Sequence, residues 1–149
     1  MNICIRPAKK YDIPIILGLL YELGRPKPKT DYDVEIFRKL VKKQISDPDK
    51  SILVAENDDL NVVGMLSLIF IPRLNYNSLE LYVPELIVTE KYQKKGIGTK
   101  LIQACISLAK ERQCHKIRLE SGTFRKKAHH FYKNFGFESN AFSFTMNIN

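Results

Sequence analysis

Between Leu79 and Arg112 the chain passes from an apolar, strand-like run into an amphipathic helix through the turn Gln93-Lys94-Lys95-Gly96-Ile97-Gly98-Thr99. A strand, a glycine turn and a helix in that order restrict the chain to an α/β arrangement and form the plan of an anion cradle. Gly96 and Gly98 carry no Cβ, so the backbone can turn tightly and approach a ligand closely. The helix that follows offers unpaired N–H groups and the positive end of its dipole. Lys94 and Lys95 add positive charge beside it. Two other cradles are excluded. A Walker A loop requires Gly-Lys-Ser/Thr, which does not occur here, and a dinucleotide fingerprint requires a third glycine where this chain has Thr99, Lys100 and Leu101. The pattern that fits is Q/R-x-x-G-x-G/A.

The rest of the chain reads as mixed α/β. Ile3 to Arg6 alternates like a short strand. Asp12, with Pro14 behind it, can cap a helix whose face is Ile13, Ile16, Leu17 and Leu20. Gly24-Arg25-Pro26-Lys27-Pro28-Lys29 breaks that helix. Asp31 or Asp33 can cap a second one, carrying Val34, Phe37, Val41 and Ile45 at helical spacing and ended by Asp47-Pro48-Asp49. Strands are expected over Ser51 to Glu56, Val62 to Ile71, Leu79 to Val88 and Lys116 to Ser121. Turns or loops fall at Asn57-Asp58-Asp59 and Pro72 to Ser78. Helices are expected over Thr99 to Arg112, with Leu101, Ile102, Cys105, Leu108 and Ala109 on one face, and over Arg125 to Asn134. From Phe137 onward the sequence reads as a closing hairpin. Neither a linker nor an internal repeat divides the 149 residues, so one domain is expected.

Composition narrows the functional classes. No apolar run reaches the ~18 residues needed to span a bilayer, and Met1 to Pro7 does not read as a secretory signal. The three cysteines, Cys4, Cys105 and Cys114, are odd in number and widely spaced, as expected of reduced thiols in the cytoplasm. The net charge of +8 is compatible with nucleic acid, an acidic membrane surface or an anionic small ligand. No aromatic-interleaved basic stretch resembles an RNA-binding strand, and no helix-turn-helix is evident. Neither nucleic acid nor a membrane is therefore expected as a partner.

Gln93 to Gly98 resembles the acetyl-coenzyme A pyrophosphate loop of the GNAT superfamily of N-acetyltransferases. Further pieces occur in that family's order. Ile5-Arg6-Pro7-Ala8 with Asp12-Ile13 resembles its opening strand and helix start, and Val54-Ala55-Glu56 and Val63-Gly64-Met65 resemble its second and third strands. His130-Phe131-Tyr132-Lys133-Asn134-Phe135-Gly136-Phe137 resembles its late helix. The resemblance covers nearly the whole chain. It implies a mixed, mostly antiparallel sheet of about seven strands flanked by helices, with central strands that splay apart. It also implies acetyl transfer from acetyl-coenzyme A to a primary amine, by direct attack in a ternary complex. A small-molecule amine is the first expectation for the acceptor. A protein lysine or N-terminal amine, or a non-catalytic acyl-coenzyme A-binding regulatory domain, are the alternatives. A homodimer is left open.

The resemblance also assigns residues. The cofactor would be held by Gln93, Lys94, Lys95, Gly96, Ile97, Gly98 and Thr99. Backbone groups of Ile87 and Val88 would pair with its pantetheine arm. Pro84, disfavoured inside a central strand, would mark the bulge of the fourth strand. Tyr132 matches a tyrosine that in many members lies near the cofactor sulfur, and a phenol stays protonated at neutral pH and can donate. Glu85 lies where some members place an acidic residue facing the acceptor and is the candidate base, with Glu120 as a weaker alternative and Glu22 at the amine entrance. Many members carry an asparagine where this chain has Arg125, which could bind a cofactor phosphate instead. No metal is expected: His129 and His130 point about 100° apart on a helix and make a poor ligand pair. A cysteine-based acyl-enzyme is not expected either.

Overall fold

Eleven consecutive residues of β3 (Val62–Pro72) form the strand on which the sheet is built in a computed structural model describing residues 1–149. Nine of them are Val, Met, Leu, Ile, Phe or Pro, and this near-continuous apolar run is buried on both faces, as a central strand requires. The chain divides into two compact units, Met1–Arg118 and Leu119–Asn149.

In the first unit, β1 (Cys4–Pro7) pairs antiparallel with β2 (Lys50–Glu56), and β2 with β3. β4 (Leu79–Val83) and β5 (Leu86–Val88) both pair antiparallel with β3. The sheet has six strands in the order β1-β2-β3-β4-β6, and β5 lies off that path. β6 (Lys116–Leu119) is shorter than the expected Lys116 to Ser121 and runs across the boundary between the units.

Opposite residues of an antiparallel pair share a face. Ile52 stands opposite Ser67 and Val54 opposite Met65, and this face packs on α1 (Ile13–Leu23) and α2 (Asp31–Ser46) through Ile16, Leu17, Leu19 and Val41. The other face carries Gly64, whose Cα lies close to Leu101 of α3 (Ile97–Glu111). Leu101, Ile102, Cys105 and Ala109 form the buried stripe of α3 that the periodicity predicts, and the helix begins two residues earlier than expected.

Both predicted helix caps are corrected. Asp12 stands just ahead of α1, but its carboxylate turns back to accept from the Lys9 N–H at 2.7 Å and from Arg6 at 2.8 and 3.0 Å. Thr30, not Asp31 or Asp33, caps α2. Thr30 has the extended backbone a cap needs, and its Oγ1 accepts from the Asp33 N–H at 3.1 Å. Asp33 in turn accepts from the Lys29 N–H.

The second unit is built on α4 (Lys126–Phe135), which ends at Gly136 with φ +101°. The Phe137 N–H closes that end on the Tyr132 carbonyl at 3.1 Å. Phe131, Tyr132, Phe135 and Phe137 meet edge to face, with ring centroids 5.4 to 5.8 Å apart. The expected closing hairpin is not formed: no strand follows α4. Phe142, Phe144, Met146 and Ile148 alternate as a strand would, but all are exposed, and alternation alone cannot supply the paired backbone that makes a strand. No helix of the chain is long and apolar enough to cross a membrane.

Candidate active site

The expected central strand from Leu79 to Val88 is two strands. Ser67 and Leu68 of β3 stand against Val83, Pro84 and Glu85, so the partner carries one extra residue. This is a β-bulge, and it accommodates Pro84, which has no N–H for a ladder bond. The bulge is stitched by Ser67. Its N–H donates to the Glu85 carbonyl at 2.9 Å, its Oγ accepts from the Glu85 N–H at 3.0 Å, and the same hydroxyl donates to Glu85 Oε1 at 2.5 Å. Glu85 Oε2 takes Nη2 of Arg25 at 3.0 Å, and that nitrogen also donates to the Pro84 carbonyl at 3.0 Å. One carboxylate is therefore fixed at both oxygens, on the face of the sheet that α1 and α2 cover.

Beyond the bulge the hydrogen-bonding phase is set by Ser67 N–H on the Glu85 carbonyl and Thr89 N–H on the Val63 carbonyl. Ile87, midway between and opposite Met65, turns its own groups toward β3. The backbone groups pointing the other way belong to Leu86 and Val88. Of the two residues expected to offer free backbone, Val88 has this orientation and Ile87 does not. Part of the Val88 offer is also taken, because Gln93 Nε2 donates to its carbonyl at 2.8 Å. A Cβ on Gly64 would sit 3.0 Å from the Ile87 carbonyl oxygen and 3.3 Å from Val88 Cγ2, so glycine lets β5 come this close to β3.

The turn into α3 follows directly. Glu90–Tyr92 form one 3-10 turn. Glu22 of α1 caps it, accepting from the Glu90 N–H at 2.8 Å and from Thr89 Oγ1 at 2.9 Å. Glu22 is thus engaged by the loop rather than placed at an amine entrance. Lys94 and Gly96 both have positive φ, 61° and 81°. Gly96 precedes the first turn of α3, and no side chain caps it. The ammonium of Lys95 lies 5.4 Å and that of Lys91 5.9 Å from the Tyr92 ring centroid. The result is a helix start that no side chain caps, preceded in the chain by Lys91, Lys94 and Lys95.

Arg125 and Tyr132 belong to the second unit, Arg125 directly ahead of α4 and Tyr132 two turns along it. Burial raises the Tyr132 phenol above its ordinary pKa, and the Arg125 charge opposes this only in part. It remains a proton donor at neutral pH. Glu120 is engaged by Ser143 Oγ at 2.7 Å. Burial pushes the Cys105 thiol up to about 12 and also raises that of Cys114, which leaves neither suited to act as a thiolate nucleophile. His129 bonds the Gly122 carbonyl, and no group of three or more His, Cys, Asp or Glu could hold a metal ion.

Sequence reasoning missed Ser67 and Arg25. Ser67 did leave a trace, as a hydroxyl inside the apolar run from Val62 to Ile71, where a buried polar group needs a partner. Arg25 left none, since it reads as one cation in a loop.

Comparison with known proteins places this geometry. Over 110 residues the chain is 30% identical to streptothricin acetyltransferase A of Bacillus subtilis (strain 168), covering 68% of this chain and 61% of that protein. The chain thus spans less than two thirds of that relative's length. A solved structure of a transcriptional regulator from Bacillus halodurans C-125 superposes with a TM-score of 0.90 at 28% identity, over 99% of this chain and 100% of that one. Glucosamine-6-phosphate N-acetyltransferase from Arabidopsis thaliana shares the fold, with a TM-score of 0.83 at 18% identity and full coverage of both chains. Residues 17–137 match the Acetyltransferase (GNAT) family. With its bulged strand, its two-glycine turn and this match over most of its length, the chain belongs to the GNAT acetyltransferase family.

Proposed function

We propose that this protein transfers acetyl from acetyl-coenzyme A to the primary amine of a small molecule, by direct attack in a ternary complex. The observation that carries this reading is the start of α3: Gly96 in the left-handed region, no capping side chain, and Lys94 and Lys95 beside it. Such an end suits a diphosphate. Gln93 braces the loop, and the N–H groups of Ile97, Gly98 and Thr99 face the anion. Leu86 and Val88 offer backbone to the pantetheine arm, and Arg125 suits a cofactor phosphate.

The amine must first lose a proton, and Glu85 accepts it directly or through water. The nitrogen lone pair then bonds to the thioester carbonyl carbon, the carbon–sulfur bond breaks, the departing thiolate takes its proton from Tyr132, and the surplus proton of the new amide nitrogen passes to water, which reprotonates the phenolate. Holding donor and acceptor together supplies much of the rate. The family match over residues 17–137 takes in parts of both compact units, which supports one catalytic domain over residues 1–149. Three unpaired cysteines, exposed at Cys4 and buried at Cys105, favour a cytoplasmic setting.

The test is release of free thiol from acetyl-coenzyme A in the presence of a panel of primary amines, with calorimetric titration of the cofactor alongside. Amine-dependent thiol release is expected. A second reading, an acyl-coenzyme A-binding regulator without turnover, draws on the similarity to the transcriptional regulator from Bacillus halodurans C-125. Cofactor binding with no thiol release from any amine would select it.

A further inference from the structure

An apolar cavity opens between α1 and α2, with a volume of about 200 Å³. It is lined by Leu17, Leu20 and Tyr21 of α1, by Phe37, Leu40 and Val41 of α2, and by Arg25 and Pro26 of the loop between them. Leu40 is 60% exposed, so the cavity reaches solvent. Its lining is almost entirely apolar. A dry apolar cavity of ~150 Å³ takes up benzene in another protein, so this one has room for an arm of that size.

Arg25 joins the cavity to Glu85. Its side chain lines the one and its guanidinium holds Oε2 of the other at 3.0 Å. A carboxylate that binds a guanidinium there can bind an ammonium there. Glu85, Ser67 and the cavity also share the α1–α2 face of the sheet.

We propose that this cavity selects the acceptor: a primary amine whose ammonium meets Glu85 and whose apolar arm, the size of a leucine or phenylalanine side chain, lies between α1 and α2. The inference rests on the acetyltransferase reading above and adds the acceptor's chemical class. Arg25 is then a specificity residue. It lines the cavity that takes the arm, and it shares Glu85 with the incoming ammonium.

The experiment compares kcat/KM for 2-phenylethylamine and ethylamine, in the wild type and in Leu20→Phe and Leu40→Trp, which fill the cavity from its floor and from its rim. Leu40 is exposed, so the second substitution leaves the fold intact. The ratio of the two amines is the readout, because a general loss of activity cancels in it. The wild type is expected to prefer the phenyl-bearing amine about 10²-fold, within the range by which apolar pockets discriminate. In both variants the ratio should fall to within about threefold of one. An equal kcat/KM for both amines in the wild type, or a preference that survives in both variants, overturns the cavity assignment while leaving the acetyltransferase reading standing. No turnover of either amine, or of any amine in the wider panel, overturns both. A short peptide with phenylalanine at its N-terminus, run beside the free amines, distinguishes a peptide source of the arm from a small molecule.

Discussion

At the scale of single residues, the proposed mechanism divides the proton work between Glu85 and Tyr132, and their chemistry separates them experimentally. Glu85→Gln keeps the size of the side chain and its bond from Ser67 but cannot accept a proton. Its rate should be low near neutral pH and recover in part at high pH, where more of an amine with pKa near 10 is already free. A pH–rate profile of kcat/KM checks this. A profile like the wild type's would move the role to Glu120, and a uniform loss would make Glu85 a residue that orients the amine. Tyr132→Phe removes one hydroxyl and keeps the edge-to-face packing with Phe131 and Phe137. The maximal rate should fall about 10²-fold with little change in cofactor affinity. Steady-state kinetics at saturating substrates decide it, and a wild-type rate would leave Tyr132 as a packing residue.

At the scale of elements, the bulge between β4 and β5 and the turn into α3 each depend on one small residue. Ser67→Ala removes the hydroxyl that bonds both the Glu85 N–H and its carboxylate. The lost hydrogen bonds should lower stability by about 1 kcal/mol, and a carboxylate held by Arg25 alone should lower kcat more than it raises the KM for acetyl-coenzyme A. Denaturant unfolding and kinetics measure the two effects separately. Gly96→Ala meets no neighbouring atom within 4 Å, so its cost is the backbone conformation at φ +81°. That conformation costs an L-residue about 1–2 kcal/mol. The turn is expected to relax to escape that cost, and cofactor affinity should drop about tenfold, read by calorimetry. Unchanged affinity would remove the turn from the cofactor site.

At the scale of the whole molecule, two carboxylates pinned by arginines set the acid limit of the fold. Burial works to raise both, but the Arg6 and Lys9 hydrogen bonds to Asp12, and the Arg118 hydrogen bond and charge at Glu80, outweigh it and hold both below their ordinary values. A depressed carboxylate adds stability above its unfolded pKa, near 4, and loses that contribution as pH falls through the folded value. Asp12→Asn should therefore cost about 3 kcal/mol at pH 7, and the gap from wild type should narrow as pH falls below the unfolded value and close once it passes the folded one, as urea titrations over an acid pH series would show. What the sequence determined by itself was local: the Gly96 turn, the apolar stripe of α3, the buried run of β3 and the aromatic helix around Tyr132 are all written in short-range spacing and residue type. The break at Pro84 was legible as a proline out of place. Which residue caps each helix was decided by competing hydrogen bonds three to six residues away, and which way the backbone of Ile87 faces by pairing with β3, distant in the chain. The same holds for the site. Glu85 could be picked out as a residue type at a position, but only the fold brings Ser67, 18 positions away, and Arg25, 60 positions away, onto its two oxygens. No local spacing encodes a contact of that range, because pairing across a sheet is set by register and packing, not by distance along the chain.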